Sequence, residues 1–174
     1  MTLSENPPGR TRLQVCRFGP DARPSGELVG ALERMAVTRR ARIEDALCVA
    51  RSPDGELAAI DLALARAGAG LTDLVDFRLA PERRRALTAR VLTTRPDGVA
   101  PSVVRAIGDT LEPGTAVVAF LLTGTAASLL DDAVARCHGW IVADEPTPAR
   151  TLAELGVLLV QRAAPVRATA PREA

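Results

Sequence analysis

Apolar positions recur along this chain at two periods, and each change of period marks an element. Leu13 to Phe18 is a short apolar run, and Gly19, Pro20, Asp21 and Pro24 then interrupt it, so a strand followed by a loop is expected. Ser25 is a helix N-cap, and Glu27 lies in the first turn, where the helix dipole favours an anion. Leu28, Val29, Leu32, Met35 and Ala36 follow at helical spacing, and Arg39 and Arg40 sit at the far end. This predicts a helix over 26–38. Ile43, Leu47 and Val49 then alternate, which predicts a strand over 42–51. Ser52-Pro53-Asp54-Gly55 is a turn with each residue type in its favoured place. Leu57 to Leu62 returns as a second strand, so 43–62 reads as a β-hairpin.

From 63 to 101 the pattern loosens. Pro81 to Val91 has helical composition, with Pro81 and Glu82 at its start. Arg95-Pro96-Asp97-Gly98 reads as a turn, and Ser102 as the cap of a short helix carrying Val103, Val104, Ile107 and Leu111. Glu112-Pro113-Gly114 ends it. Thr115 to Leu122 is apolar throughout: Ala116, Val118, Phe120 and Leu122 face one way, Val117, Ala119 and Leu121 the other. Such a strand belongs in the middle of a sheet. Thr125 caps the next predicted helix, 126–138, with Leu129, Leu130, Ala133, Val134 and Cys137 inward and Gly139 as the left-handed residue after it. Trp140 to Ala143 reads as a strand and Asp144-Glu145-Pro146 as a loop. Thr147 and Pro148 open a last helix, 148–160, using Leu152, Leu155, Leu158 and Leu159.

The order strand, helix, strand occurs twice, over 13–50 and 115–143. Two βαβ units in one small domain predict an α+β fold: a ferredoxin-like split βαβ sandwich with an antiparallel sheet. A hairpin strand, a helical insertion over about 63–101 and a C-terminal helix are added to it. The expected organisation is a disordered leader over 1–11, a single domain over 12–162 and a disordered tail over 163–174. With the helices 26–38 and 126–138 on one face, the other face of the apolar strand needs a cover. The insertion 63–101 and the last helix, 148–160, are candidates within the chain; a second copy is the alternative, and a homodimer is expected, with Leu152, Leu155, Leu158 and Leu159 or the second sheet face at its interface.

Composition alters this picture in three ways. All 22 basic residues are arginine, against 21 acidic ones, for a formal net charge of +1. Binding of nucleic acid by bulk electrostatics is thereby excluded, and no specific nucleic-acid partner is expected. With lysine absent throughout, an arginine at any one place carries little information by itself. The three cysteines, Cys16, Cys48 and Cys137, sit in apolar runs with no zinc spacing, as small hydrophobes in a reducing compartment do. The N-terminus lacks the apolar core of a signal peptide, and no apolar stretch is long enough to span a bilayer. A cytoplasmic protein without a membrane partner is expected.

The blocks ARIEDALCVARSPDGEL, TLEPGTAVVAFLL and LLDDAVARCHGWIVADEPTP, in that order, resemble a bacterial, actinobacterial-type family of unknown function whose members are described as general-stress-protein-like. The resemblance covers about 40–62 and 103–156. It implies a role in stress adaptation and brings no catalytic residues. Many members of that family have a glycine-rich hydrophobic hairpin after the second strand pair; here only AGAGLTDLVDF stands there, followed by an arginine-rich segment.

Candidate chemistry is sparse. No P-loop, G-x-G-x-x-G or G-x-S-x-G is present, and no catalytic residue, cofactor site or metal site is assigned. His138, at a helix end, reads as a group that satisfies carbonyls. Asp131-Asp132 reads as a solvated face, and Asp144-Glu145 as a loop. The densest basic run, Arg78, Arg83, Arg84, Arg85 and Arg90, is the candidate patch for an anionic partner, such as a protein. Two functional readings remain. The first is a non-enzymatic, homo-oligomeric interaction or regulatory module. The second is a cofactor-independent enzyme or small-ligand-binding protein of the dimeric ferredoxin-like type. Polar residues on the predicted strands (Gln14, Arg17, Glu44, Asp45), buried together beside a cavity, would favour the second.

Overall fold

A computed structural model describes residues 11–20, 30, 31, 34, 41–61, 81–93, 98–124 and 127–165. The five strands are β1 (Thr11–Phe18), β2 (Ala41–Arg51), β3 (Leu57–Asp61), β4 (Ala116–Gly124) and β5 (Gly139–Thr147). The helices are α1 (Pro81–Val91), α2 (Pro101–Asp109), α3 (Ala127–Arg136) and α4 (Gly156–Ala163), with a 3-10 turn over Leu152–Leu155. The fold is α+β. One five-stranded sheet has the order β3-β2-β4-β1-β5, with every neighbouring pair antiparallel.

β4 lies in the middle, and its side chains divide between the faces as their alternation predicts. Ala116, Val118, Phe120 and Leu122 join Cys16, Phe18, Ala46 and Cys48 in a core closed by Leu130, Ala133 and Val134 from α3, by Cys137 just after it, and by Ala31. Val117, Ala119 and Leu121 join Leu13, Val15, Leu47 and Val49 in a second core on the opposite face, closed by Val104 and Ile107 of α2, Leu152, and Leu159 and Ala163 of α4. The second face is therefore covered by the chain itself. Leu152 and Leu159 are buried there, and Leu155 and Leu158 are half-buried against the same core. The last helix, one of the covers expected within the chain, occupies this face together with α2, so the face itself does not call for a second copy.

The two sheet edges differ. α1 lies along β3, with Leu87 in the first core and Val91 in the second. The Ala59 N–H of that edge strand donates to Thr88 Oγ1 at 3.0 Å, and the same hydroxyl donates to the Arg84 carbonyl at 2.8 Å. A side chain thus takes up a ladder donor that would otherwise invite another strand. On β5 the outer edge faces no described strand.

Several boundaries depart from expectation. β5 continues through Asp144-Glu145-Pro146 to Thr147, because an edge strand tolerates a proline whose missing N–H has no ladder partner. The last helix therefore begins later, as the 3-10 turn and then α4. Its start is capped from outside: the Leu152 N–H donates to Asp45 Oδ2 at 2.8 Å, beside a bulge in β2, while Thr151 makes no capping bond. Ser102 does not cap α2 either; Ala100 holds that place, and Pro101 supplies a preset first turn. Of the predicted helix 26–38, residues 30, 31 and 34 are helical and the others lie outside the described residues, as do 1–10, 62–80 and 166–174.

Two glycines have distinct duties. Gly55, at φ 86°, closes the hairpin loop, with its N–H on the Ser52 carbonyl at 2.8 Å. The left-handed residue after α3 is His138 (φ 59°), not Gly139. Gly139 is small for another reason: a Cβ there would lie 2.6 Å from the Phe18 ring and 3.0 Å from the Arg17 carbonyl oxygen. Gly139→Ala is expected to lower unfolding free energy by about 2 kcal/mol through overpacking. Gly55→Val is expected to lower it by about 1 kcal/mol, since open space surrounds it and only the backbone objects. Denaturant titration checks both; an unchanged midpoint in Gly139→Ala would mean that the Phe18 ring moves aside.

Candidate functional site

At the end of the sheet where β1 and β2 finish and β4 and β5 begin, the α2–β4 connection and the end of α4 leave an open pocket of about 390 Å³. Its walls include Arg17, Thr110, Glu112, Thr115, Trp140 and Val142, with Pro20 and Pro165 at the rim. Arg17 and Trp140 face each other directly across the β1–β5 ladder, so both side chains project from the same face. Arg17 is only 8% exposed, whereas the indole of Trp140 is half-exposed at 50%.

Helix ends determine where the Arg17 guanidinium sits. Nη1 donates to the carbonyl of Ala163, the last residue of α4, and Nη2 to that of Thr110, the C-cap of α2, at 3.4 Å. The last carbonyls of a helix lack internal partners and carry the negative end of its dipole, so a cation is favoured there. Burial nevertheless holds the Arg17 pKa below its ordinary value, with Glu112 acting in the opposite direction. Arg51 repeats the device at the same end of α2, donating to the Gly108 carbonyl at 3.0 Å, the Gly55 carbonyl at 2.9 Å and Asp109 Oδ1 at 3.3 Å. The Thr110 and Thr115 hydroxyls donate to the Ile107 and Glu112 carbonyls, each at 2.7 Å. Their lone pairs remain as acceptors. The pocket thus offers a cationic donor, hydroxyl oxygens, one exposed carboxylate and a flat apolar wall. This equipment suits binding.

The four strand polar residues do not converge. Gln14 points to the opposite face from Arg17, where its fully buried amide Nε2 donates to Asp131 Oδ1 of α3 at 2.6 Å. Gln14 Oε1 is buried without a hydrogen-bond partner. Asp45 is the buried cap already described, and Glu44 accepts from the Thr123 hydroxyl at 2.9 Å. The paired acids part company as well. Asp144 pairs with Arg12, and Glu145 takes a two-pronged contact from Arg162, with its closest approach 2.9 Å.

The predicted basic patch is divided. Arg83, Arg84, Arg85 and Arg90 lie on α1, and Arg78 falls outside the described residues. Arg85 is paired with Glu56 at 3.0 Å, and the charge of Arg84 acts on Asp54 in the hairpin turn. The hairpin's carboxylates therefore offset much of the run. His138 is exposed. All three cysteines are buried in the core on the α3 face of the sheet. Burial pushes the Cys48 thiol up to about 12, and burial with the charges of Asp131 and Asp144 pushes Cys16 higher still. Of the pocket residues, Arg17 is the one that the sequence marks as a candidate, among four polar residues on predicted strands. Trp140, Glu112 and Thr110 carry no local signal, since the pocket gathers them from separate segments.

Comparison of the chain with protein-family models, with curated proteins and with solved structures returned no match. The functional reading therefore rests on the geometry.

Burial pushes the Asp131 carboxyl above its ordinary range, outweighing the Gln14 hydrogen bond that acts the other way, while the nearby charges of Asp144 and Asp132 add to the rise. A pKa raised by folding means the contribution is full below the unfolded value of about 3.9 and is lost as pH rises through the folded one. Asp131→Asn, whose amide can also serve Gln14 Oε1, is expected to gain on the order of 1 kcal/mol at neutral pH and to flatten this part of the pH–stability curve. Chemical denaturation from acid to neutral pH measures it; an unaltered curve would place the ionised carboxylate in full contact with water.

Proposed function

We propose that the protein is a small-ligand-binding module on a ferredoxin-like split βαβ sheet, with the pocket beside Arg17 and Trp140 as its site. Leaving aside the hairpin strand β3, the order β2-β4-β1-β5 is that of two interleaved βαβ units, which supports the fold reading. The observation that carries the function is the cross-strand pair itself: a buried arginine and a half-exposed indole on one wall of a pocket large enough for a small molecule. A protein with so few aromatics gains nothing for its core by leaving its one tryptophan half in water. A role in stress adaptation rests on the family resemblance.

The interaction-module reading keeps one specific support, the outer edge of β5, where two copies could pair strand to strand into a homodimer. Sedimentation equilibrium tests that reading; a single 18.3 kDa species removes it.

Trp140 is the only tryptophan and the chain has no tyrosine, so indole emission reports on this pocket alone. Small aromatic compounds of acidic, basic and neutral kinds are expected to include at least one class that changes Trp140 emission saturably at millimolar concentration or below. If every class leaves the emission unchanged, the pocket is not a binding site.

A further inference from the structure

Given that reading of the pocket, we infer that its ligand is a small monocarboxylic acid with a flat apolar body. A guanidinium has five N–H donors, and in Arg17 two are accounted for by the Ala163 and Thr110 carbonyls. The other three take part in no described hydrogen bond, and Arg17 lines the pocket. The described ion pairs of Arg12, Arg51, Arg85 and Arg162 each engage a carboxylate, whereas Arg17 is held by carbonyls. Arg17 therefore has donors left for an acceptor from outside, and a carboxylate matches the fork geometry.

Glu112 sets the number of charges. It lines the same pocket and acts on Arg17 without pairing with it. One negative charge on the ligand is balanced by Arg17, whereas a second would meet Glu112 with nothing to offset it. This disfavours a phosphate dianion. The apolar part is set by Trp140, Val142, Pro20 and Pro165, and a volume of about 390 Å³ suits a body of one or two rings.

Benzoate, benzamide, benzylamine and inorganic phosphate differ in charge while probing this site. Trp140 emission is expected to respond saturably to benzoate at a concentration at least about tenfold lower than to the other three. Glu112→Gln changes an exposed residue whose side chain holds no described hydrogen bond; it is expected to tighten benzoate binding about two-fold by removing a like charge. Arg17→Gln is expected to weaken it about tenfold or more. Because Arg17 also holds two helix ends, its variant is read only with the Glu112→Gln result and a folded circular-dichroism spectrum. Preference for benzylamine, benzamide or phosphate overturns the ligand class and leaves the pocket standing. Weaker benzoate binding in Glu112→Gln overturns it too, since it would place a cationic or donor group of the ligand there. Silence from all four probes overturns the class and counts against the site itself.

Discussion

The central strand β4 governs the rest of the structure, because neither of its faces can meet water. Seven successive residues, Ala116 to Leu122, are buried, and a strand of this kind is stable only with a layer on each side. α3 supplies one layer. The other is assembled from three short pieces, α2, the 3-10 turn and α4, none longer than nine residues. Helices that short are marginal alone and take their stability from the apolar face they cover. Close approach helps: Gly156 lets the start of α4 come against Val103 of α2, and Gly108 sits where a Cβ would strike Leu57.

Short helices also end often, and each end leaves carbonyls without partners. Arginine is what this chain uses there. Arg51 and Arg17 stand on either side of the α2 C-terminus, and Arg17 joins it to the end of α4. A planar cation with several donors can bridge two carbonyls in different directions, which a lysine ammonium does less rigidly. The abundance of arginine looked uninformative along the sequence. In the fold, two of those residues do a job that depends on guanidinium geometry, and one of them thereby reaches the pocket.

What could be read from the chain follows the range of the interactions. The parity of β4, the Ser52-Pro53-Asp54-Gly55 turn and α1 are set by neighbours within a few residues, and their patterns are legible. Gly139 was misread because its constraint comes from Phe18, over a hundred residues earlier in the chain, while the local rule pointed to a helix end. Pro146 seemed to forbid a strand that its edge position permits. The start of the last helix was misplaced because its cap, Asp45, belongs to β2. The cover of the second face is the largest such case: α2 and the last helix were both visible, but nothing local decides between them and a second copy, or says which side of a sheet a helix will cover. The pocket is assembled entirely at this long range. Arg17 was visible as a candidate, and its companions were not.

The gathering of Cys16, Cys48 and Cys137 in the core on the α3 face of the sheet has a consequence for how this protein ages. While that core is closed, the thiols are buried, and burial disfavours the thiolate of Cys16 and Cys48. If the helical cover of that core lifts, buried thiols are uncovered with it. A cysteine carried to sulfinic acid in that interval bears a charge that the apolar layer cannot readmit without a partner. Reseating would then be blocked, turning a reversible opening into a permanent one.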